Sequence, residues 1–132
     1  MPAWSYDSYC NDSVQSCIDE YNQDFEQNLE KIIIESLEDY PGEYDIEFIL
    51  GIGIYGIRTG CKLQNKYLYK LRDLIDYLLE EGKFKFWEDF EKRRQKIVYE
   101  RKLINNILKG KQLKFGKLKE KTSNFKNLNT LY

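Results

Sequence analysis

Residues 46–60 read IEFILGIGIYGIRTG, and the conformation of this stretch decides the architecture. From Phe48 to Ile57 ten consecutive residues carry no charge, in a chain where 33% of residues are Asp, Glu, Lys or Arg. Water excludes such a run from a surface, so it belongs at the centre of the core. Two backbones fit it. Alternation places Tyr44, Ile46, Phe48, Leu50, Ile52 and Ile54 on one side, and β-branched residues with interspersed glycines suit an extended strand. Read as a helix, Gly53, Gly56 and Gly60 fall at i, i+3 and i+7, a groove of small residues that a neighbouring helix can approach closely. Each glycine costs about 1 kcal/mol of helix propensity relative to alanine, so only tight packing sustains that helix. A strand needs a partner, and the one credible partner is the alternating segment 112–118. Helix is preferred, with an α+β fold as the alternative.

Upstream, Asp12 or Ser13 can cap a helix whose stripe is Val14, Cys17, Ile18, Tyr21, Phe25, Leu29, Ile32 and Ile33, ended by Pro41 and Gly42. Downstream, Tyr67, Leu68, Leu71, Leu74, Ile75, Leu78 and Leu79 line a second helix stopped at Gly82. A third is predicted from about Trp87 to Lys109, with Trp87, Phe90, Ile97, Val98, Ile104 and Leu108 inward and Gly110 closing it. The expected fold is mainly α: a compact bundle of three long amphipathic helices around the apolar Gly/Ile-rich element. Residues 1–11, without periodicity, read as a flexible arm, 12–110 as the helical domain and 111–132 as a basic tail or docked segment.

Charge is unevenly distributed along the 132 residues. Residues 1–50 hold thirteen acidic residues and one basic, Lys31, for a net of −12, whereas 91–132 hold thirteen basic and three acidic, for +10; the total is −1. In the simplest arrangement the acidic first helix lies against the basic third helix and the two neutralise one another. Otherwise a charged face is left for a partner. Arg93, Lys96, Lys109, Lys111, Lys114, Lys117, Lys119, Lys121 and Lys126, interleaved with Phe115, suit phosphates and stacked bases of nucleic acid. Asp19, Glu20, Asp24, Glu26, Glu30, Glu35 and Glu38 flank the first helix and could imitate a line of phosphates. Arg94 and Arg101, seven apart, project with Phe90, Ile97 and Leu108 on the expected wheel. They read as interhelical pairing or anion-binding residues, the acidic first helix being the expected partner.

Several chemistries are disfavoured. The chain has no histidine, hence no imidazole base, no Ser-His or Cys-His pair and no His-containing zinc site. Cys10, Cys17 and Cys61 lack metal-ligand spacing and cannot all pair, as in a reducing compartment. Gly51, Gly53 and Gly56 match GxGxxG, but no second strand follows to build a dinucleotide site. The acidic pairs Asp73 with Asp76 and Glu88 with Glu91 lack a convergent third ligand. No apolar run is long enough to span a bilayer and no secretory leader is recognised, so the expected location is cytoplasmic. Abundant Ile, Lys, Asn, Tyr and Phe beside one alanine suggest an A+T-rich genome, such as that of a virus or mobile element. The expectation is a small non-enzymatic interaction or assembly protein, with no cofactor, metal or small-molecule substrate and with a protein partner or self-association. Nucleic-acid binding through the basic carboxyl-terminal third is the alternative, and an acidic nucleic-acid mimic a further one.

Overall fold

A computed structural model describes residues 5–38, 43–82, 87–111 and 118, with the backbone alone at 43–45. The protein is mainly α-helical. Its elements are α1 (Asp12–Tyr21), a 3-10 turn (Asn22–Asp24), α2 (Phe25–Glu38), α3 (Glu43–Arg58), α4 (Asn65–Glu81) and α5 (Phe90–Leu108). There is no strand among the described residues.

The decisive stretch is helical, as α3, and the strand alternative for 46–57 is not adopted. Ile46, Ile49, Leu50, Ile52, Ile54 and Ile57 are all buried, on more than one side of the helix. This is why neither strand alternation nor a simple amphipathic period described them: a helix enclosed by others has no polar face to set the period. The glycines explain how it is enclosed. A Cβ on Gly53 would lie 2.6 Å from Leu71 of α4, one on Gly56 would strike Leu29 of α2, and one on Gly51 would meet Val14 of α1 and the Ser8 carbonyl. The missing side chains let α2 and α4 close on α3, and the packing regained offsets the poor helix propensity of glycine.

The predicted first helix is two helices. Its stripe is correct, since Val14, Ile18, Phe25, Leu29, Ile32 and Ile33 are buried, but the rod breaks at Asn22, which adopts φ +48°. Asparagine tolerates positive φ better than most residues, and the short 3-10 turn then restarts the helix in a new direction. The N-cap is Asn11, not Asp12 or Ser13: its Oδ1 accepts from Val14 N at 2.9 Å. The second expected helix matches α4, with Tyr67, Leu68, Leu71, Ile75 and Leu78 buried and Gly82 stopping it at φ +61°.

Two expectations require correction. Residues 5–11 are not a loose arm: Asp7, Ser8, Tyr9, Cys10 and Asn11 are buried. In addition, the rotation of α5 differs from the expected wheel. Its buried face is Arg93, Ile97, Glu100, Leu103 and Ile104, while Phe90 and Val98, expected inward, are 58% and 45% exposed. A reading that rejects charged residues from the core misplaces a helix whose core face carries two of them. The helices pack as α1 and α2 on α3, α3 on α4, and α4 on α5. Residues 112–117 and 119–132 lie outside the described residues, and Leu118 packs against the core.

Candidate functional site

The amino-terminal segment Ser5–Asn11 crosses between α3 and α5, and a buried polar cluster holds it there. Arg93, with no exposed surface, projects from the first turns of α5. Its Nη2 lies 2.6 Å from Glu47 Oε2 of α3 and donates to Ser8 Oγ at 2.8 Å. Its Nη1 donates to the Tyr6 carbonyl at 2.8 Å and lies 3.7 Å from Glu100 Oε1. The guanidinium also stacks over the Trp87 ring at 4.4 Å. Glu100, two turns further along α5, accepts from Ser8 N at 2.9 Å, and the Ser8 hydroxyl donates to its Oε1.

One buried guanidinium thus serves two buried carboxylates. A dry interior does not easily hold the surplus negative charge, so one acid is driven toward its neutral form. Burial pushes Glu100 up from the ordinary 4.5 to about 7; Arg93 and the two Ser8 hydrogen bonds oppose the rise, and Asp7 adds to it. Asp7, itself buried, lies 3.6 Å from Lys96 Nζ on the next turn of α5. Glu47 Oε1 and Arg93 Nε find no hydrogen-bond partner among the described residues. The cluster ties the segment to two helices, and no solvent-facing nucleophile or base arises from it.

Beside the cluster lies an open cleft of about 640 Å³ between the segment, the end of α3 and the first half of α5. Its lining includes Arg58, Lys92 and Lys96, the carboxylate-bearing Asp7, and Tyr6, Tyr9 and Tyr99. Arg58 stands over the Tyr9 ring at 5.9 Å and Lys92 over Tyr6 at 6.0 Å.

The expected site residues are dispersed. Arg93, expected at phosphates, is inside the core, because its side chain is the counter-ion of Glu47 and Glu100. Lys96 is half-buried against Asp7, and Lys109 and Lys111 are exposed. Lys114, Phe115, Lys117, Lys119, Lys121 and Lys126 lie outside the described residues. Arg94, expected inward, is exposed, displaced from the core face by its neighbour Arg93. Arg101 does make an interhelical pair, but with Asp76 of α4 at 2.6 Å rather than with the acidic first helix. Sequence reasoning missed Glu47, Glu100 and Ser8. A signal existed: Glu47 is the carboxylate next to the charge-free run, and Arg93 and Glu100 stand seven apart, on one face of a helix.

Among the described residues no three metal-ligating side chains cluster, and no helix is long and apolar enough to cross a membrane. The three cysteines are free thiols. No family model, no curated protein and no solved structure matches the chain.

Proposed function

We propose that the protein acts by binding rather than catalysis, as an interaction or assembly protein whose outer α5 face docks on an acidic protein surface. The acidic face of a second copy, on α1 and α2, is the simplest such surface. One observation carries this reading: among the described residues α5 packs chiefly on α4, whereas α1 and α2 pack on α3, so the acidic and basic helices are not the main packing partners of one another. Arg94, Lys102 and the C-cap Lys109 stand exposed along α5, and Asp19, Glu20, Asp24, Glu26, Glu35 and Glu38 along α1, the 3-10 turn and α2. The α5 face also exposes Phe90 and Val98 between its cations, and the acidic face exposes Ile34 at 38%. Apolar anchors set among arginine and lysine are the usual make-up of a protein interface. Complementary patches at different places on one chain associate head to tail.

Sedimentation equilibrium tests the reading. Association at about 0.05 M salt that weakens at about 0.5 M, where exposed charges are screened, is expected. The double substitution R94E/K102E abolishes it. A chain that stays monomeric alone, yet binds an oligonucleotide with a steep salt dependence lost in R94E/K102E, replaces this reading with nucleic-acid binding. Neither association nor binding refutes both.

A further inference from the structure

The segment Ser5–Asn11 is folded on itself and clasped to α5 through Ser8. Cys10 N donates to the Asp7 carbonyl at 3.0 Å, closing a turn, and Asn11 Nδ2 donates to the Ser8 carbonyl at 3.2 Å, so the turn is continuous with the cap of α1. Within that turn the Ser8 N–H and hydroxyl both donate to Glu100, and Arg93 donates to the hydroxyl oxygen. We infer that this clasp is a pH-sensitive latch: the segment is held while Glu100 carries a proton and lifts from α3 and α5 when Glu100 ionises. The latch does not depend on the docking reading. Arg94, Val98 and Lys102 are exposed, whereas Arg93 and Glu100 are buried on another side of α5.

The charges around Glu100 give the latch its direction. Arg93, on the same helix, is 3.7 Å away but is also the counter-ion of Glu47 from α3, at 2.6 Å. Asp7 faces Glu100 from the segment, with Lys96 3.6 Å from the Asp7 carboxylate. Arg58 of α3 and Lys92 of α5 lie over the Tyr9 and Tyr6 rings of the segment. On α4, Arg72 donates to Asn105 and Asp76 accepts from Arg101. Ionising Glu100 therefore sets a second buried carboxylate on a guanidinium that already serves one, with a further acid of the segment nearby. Lifting the segment takes Asp7 away and hydrates Glu100. Protonation does not cost the link to Ser8, because a hydroxyl that donates to a carboxylate can accept from a carboxyl. Burial raises Glu100 to about 7, against the pull of Arg93 and the two Ser8 hydrogen bonds and with a further push from Asp7. Once hydrated it returns toward 4.5, so closure is firmest below about pH 4.5 and weakens as pH rises to about 7.

Cys10, fully buried within the segment, reports the latch. The full chain is treated with a thiol reagent, and labelling at Cys10 is told apart from that at Cys17 and Cys61 by peptide mass spectrometry. Protection is the labelling rate of the urea-unfolded chain over that of the native chain at the same pH, a ratio that cancels the ionisation of the thiol itself. Protection of Cys10 should fall by at least ~10-fold between pH 5 and pH 7, since each pKa unit is worth a factor of about ten, and should level off above that. Urea at up to ~1 M should change it little, because a local opening exposes little surface. Glu100→Gln, neutral throughout, should remove the pH dependence; if that variant does not fold, the pH and urea dependence of the parent decides by itself. The latch is overturned if the parent's protection is flat with pH or if a folded Glu100→Gln keeps the slope. It is overturned equally if protection matches the global unfolding constant from urea titration at each pH, for the segment then leaves only when the whole domain unfolds.

Discussion

Replacing Arg93 by methionine is the sharpest perturbation of this fold, because the neighbouring residue supplies its own control. The substitution keeps an unbranched, helix-compatible side chain but removes the guanidinium from Glu47 at 2.6 Å, Ser8 Oγ and the Tyr6 carbonyl at 2.8 Å each, and Glu100 at 3.7 Å. Glu47 and Glu100, each 1% exposed, are left without a counter-ion. Breaking a buried pair in this way costs about 3–5 kcal/mol, against a total stability of about 5–15 kcal/mol for a domain. With a urea m-value of about 1–3 kcal/mol per molar, the midpoint should fall by at least ~1 M. Arg94→Met removes an exposed charge one residue on, and should stay within about 0.5 kcal/mol. The Arg93 cost should also shrink in acid. Glu100, already raised to about 7, rises further without the attraction of Arg93, so as pH falls from 8 toward 5 the buried acid takes up a proton that the unfolded chain largely does not. Urea titrations of both variants at pH 8 and pH 5, followed by circular dichroism, decide the matter. Equal effects of the two substitutions, or a larger one at Arg94, would refute this rotation of α5 and the cluster with it.

Two other measurements probe separate parts of the same packing. Glu100 has a folded pKa above its unfolded one, so its contribution to stability is fully present below about pH 4.5 and is lost as pH rises to about 7. A shift of that size corresponds to about 3 kcal/mol. The difference in stability between parent and Glu100→Gln, measured from pH 4.5 to 8, should change across that window and be flat above it; a constant difference throughout contradicts the burial of this acid. At Gly53, alanine brings a Cβ to within 2.6 Å of Leu71, so overpacking of about 1–3 kcal/mol should outweigh the roughly 1 kcal/mol of helix propensity gained. A thermal midpoint raised by Gly53→Ala would mean that α3 and α4 are not in such close contact.

What could be read in advance depended on whether a residue's neighbours were local. The α4 stripe and its Gly82 stop were legible because no charged residue competes with the apolar ones on that face, and a left-handed cap is a property of the glycine itself. The break at Asn22 was hidden because the apolar stripe continues through it, from Ile18 to Phe25. The rotation of α5 was hidden because Arg93 and Glu100 enter the core only when Glu47 and Ser8 arrive from elsewhere in the chain. Of the candidate cleft, the cations of α5 were visible as a basic segment. Their meeting with Tyr6, Tyr9 and Arg58 was not, since residues 5–11 carry no period to announce that they are buried.

By itself the amino-acid sequence determined that the chain is mainly helical, that Ile46 to Ile57 lies inside, and that acid is concentrated early and base late, because period, hydropathy and charge are properties of single residues and their near neighbours. Tertiary structure decided that this interior stretch is a helix clasped through its glycines, that a guanidinium and two carboxylates share the core, and which cations remain outside. Those outcomes turn on desolvation and close contact between residues up to ninety-two positions apart, as with Ser8 and Glu100, and no local pattern encodes them.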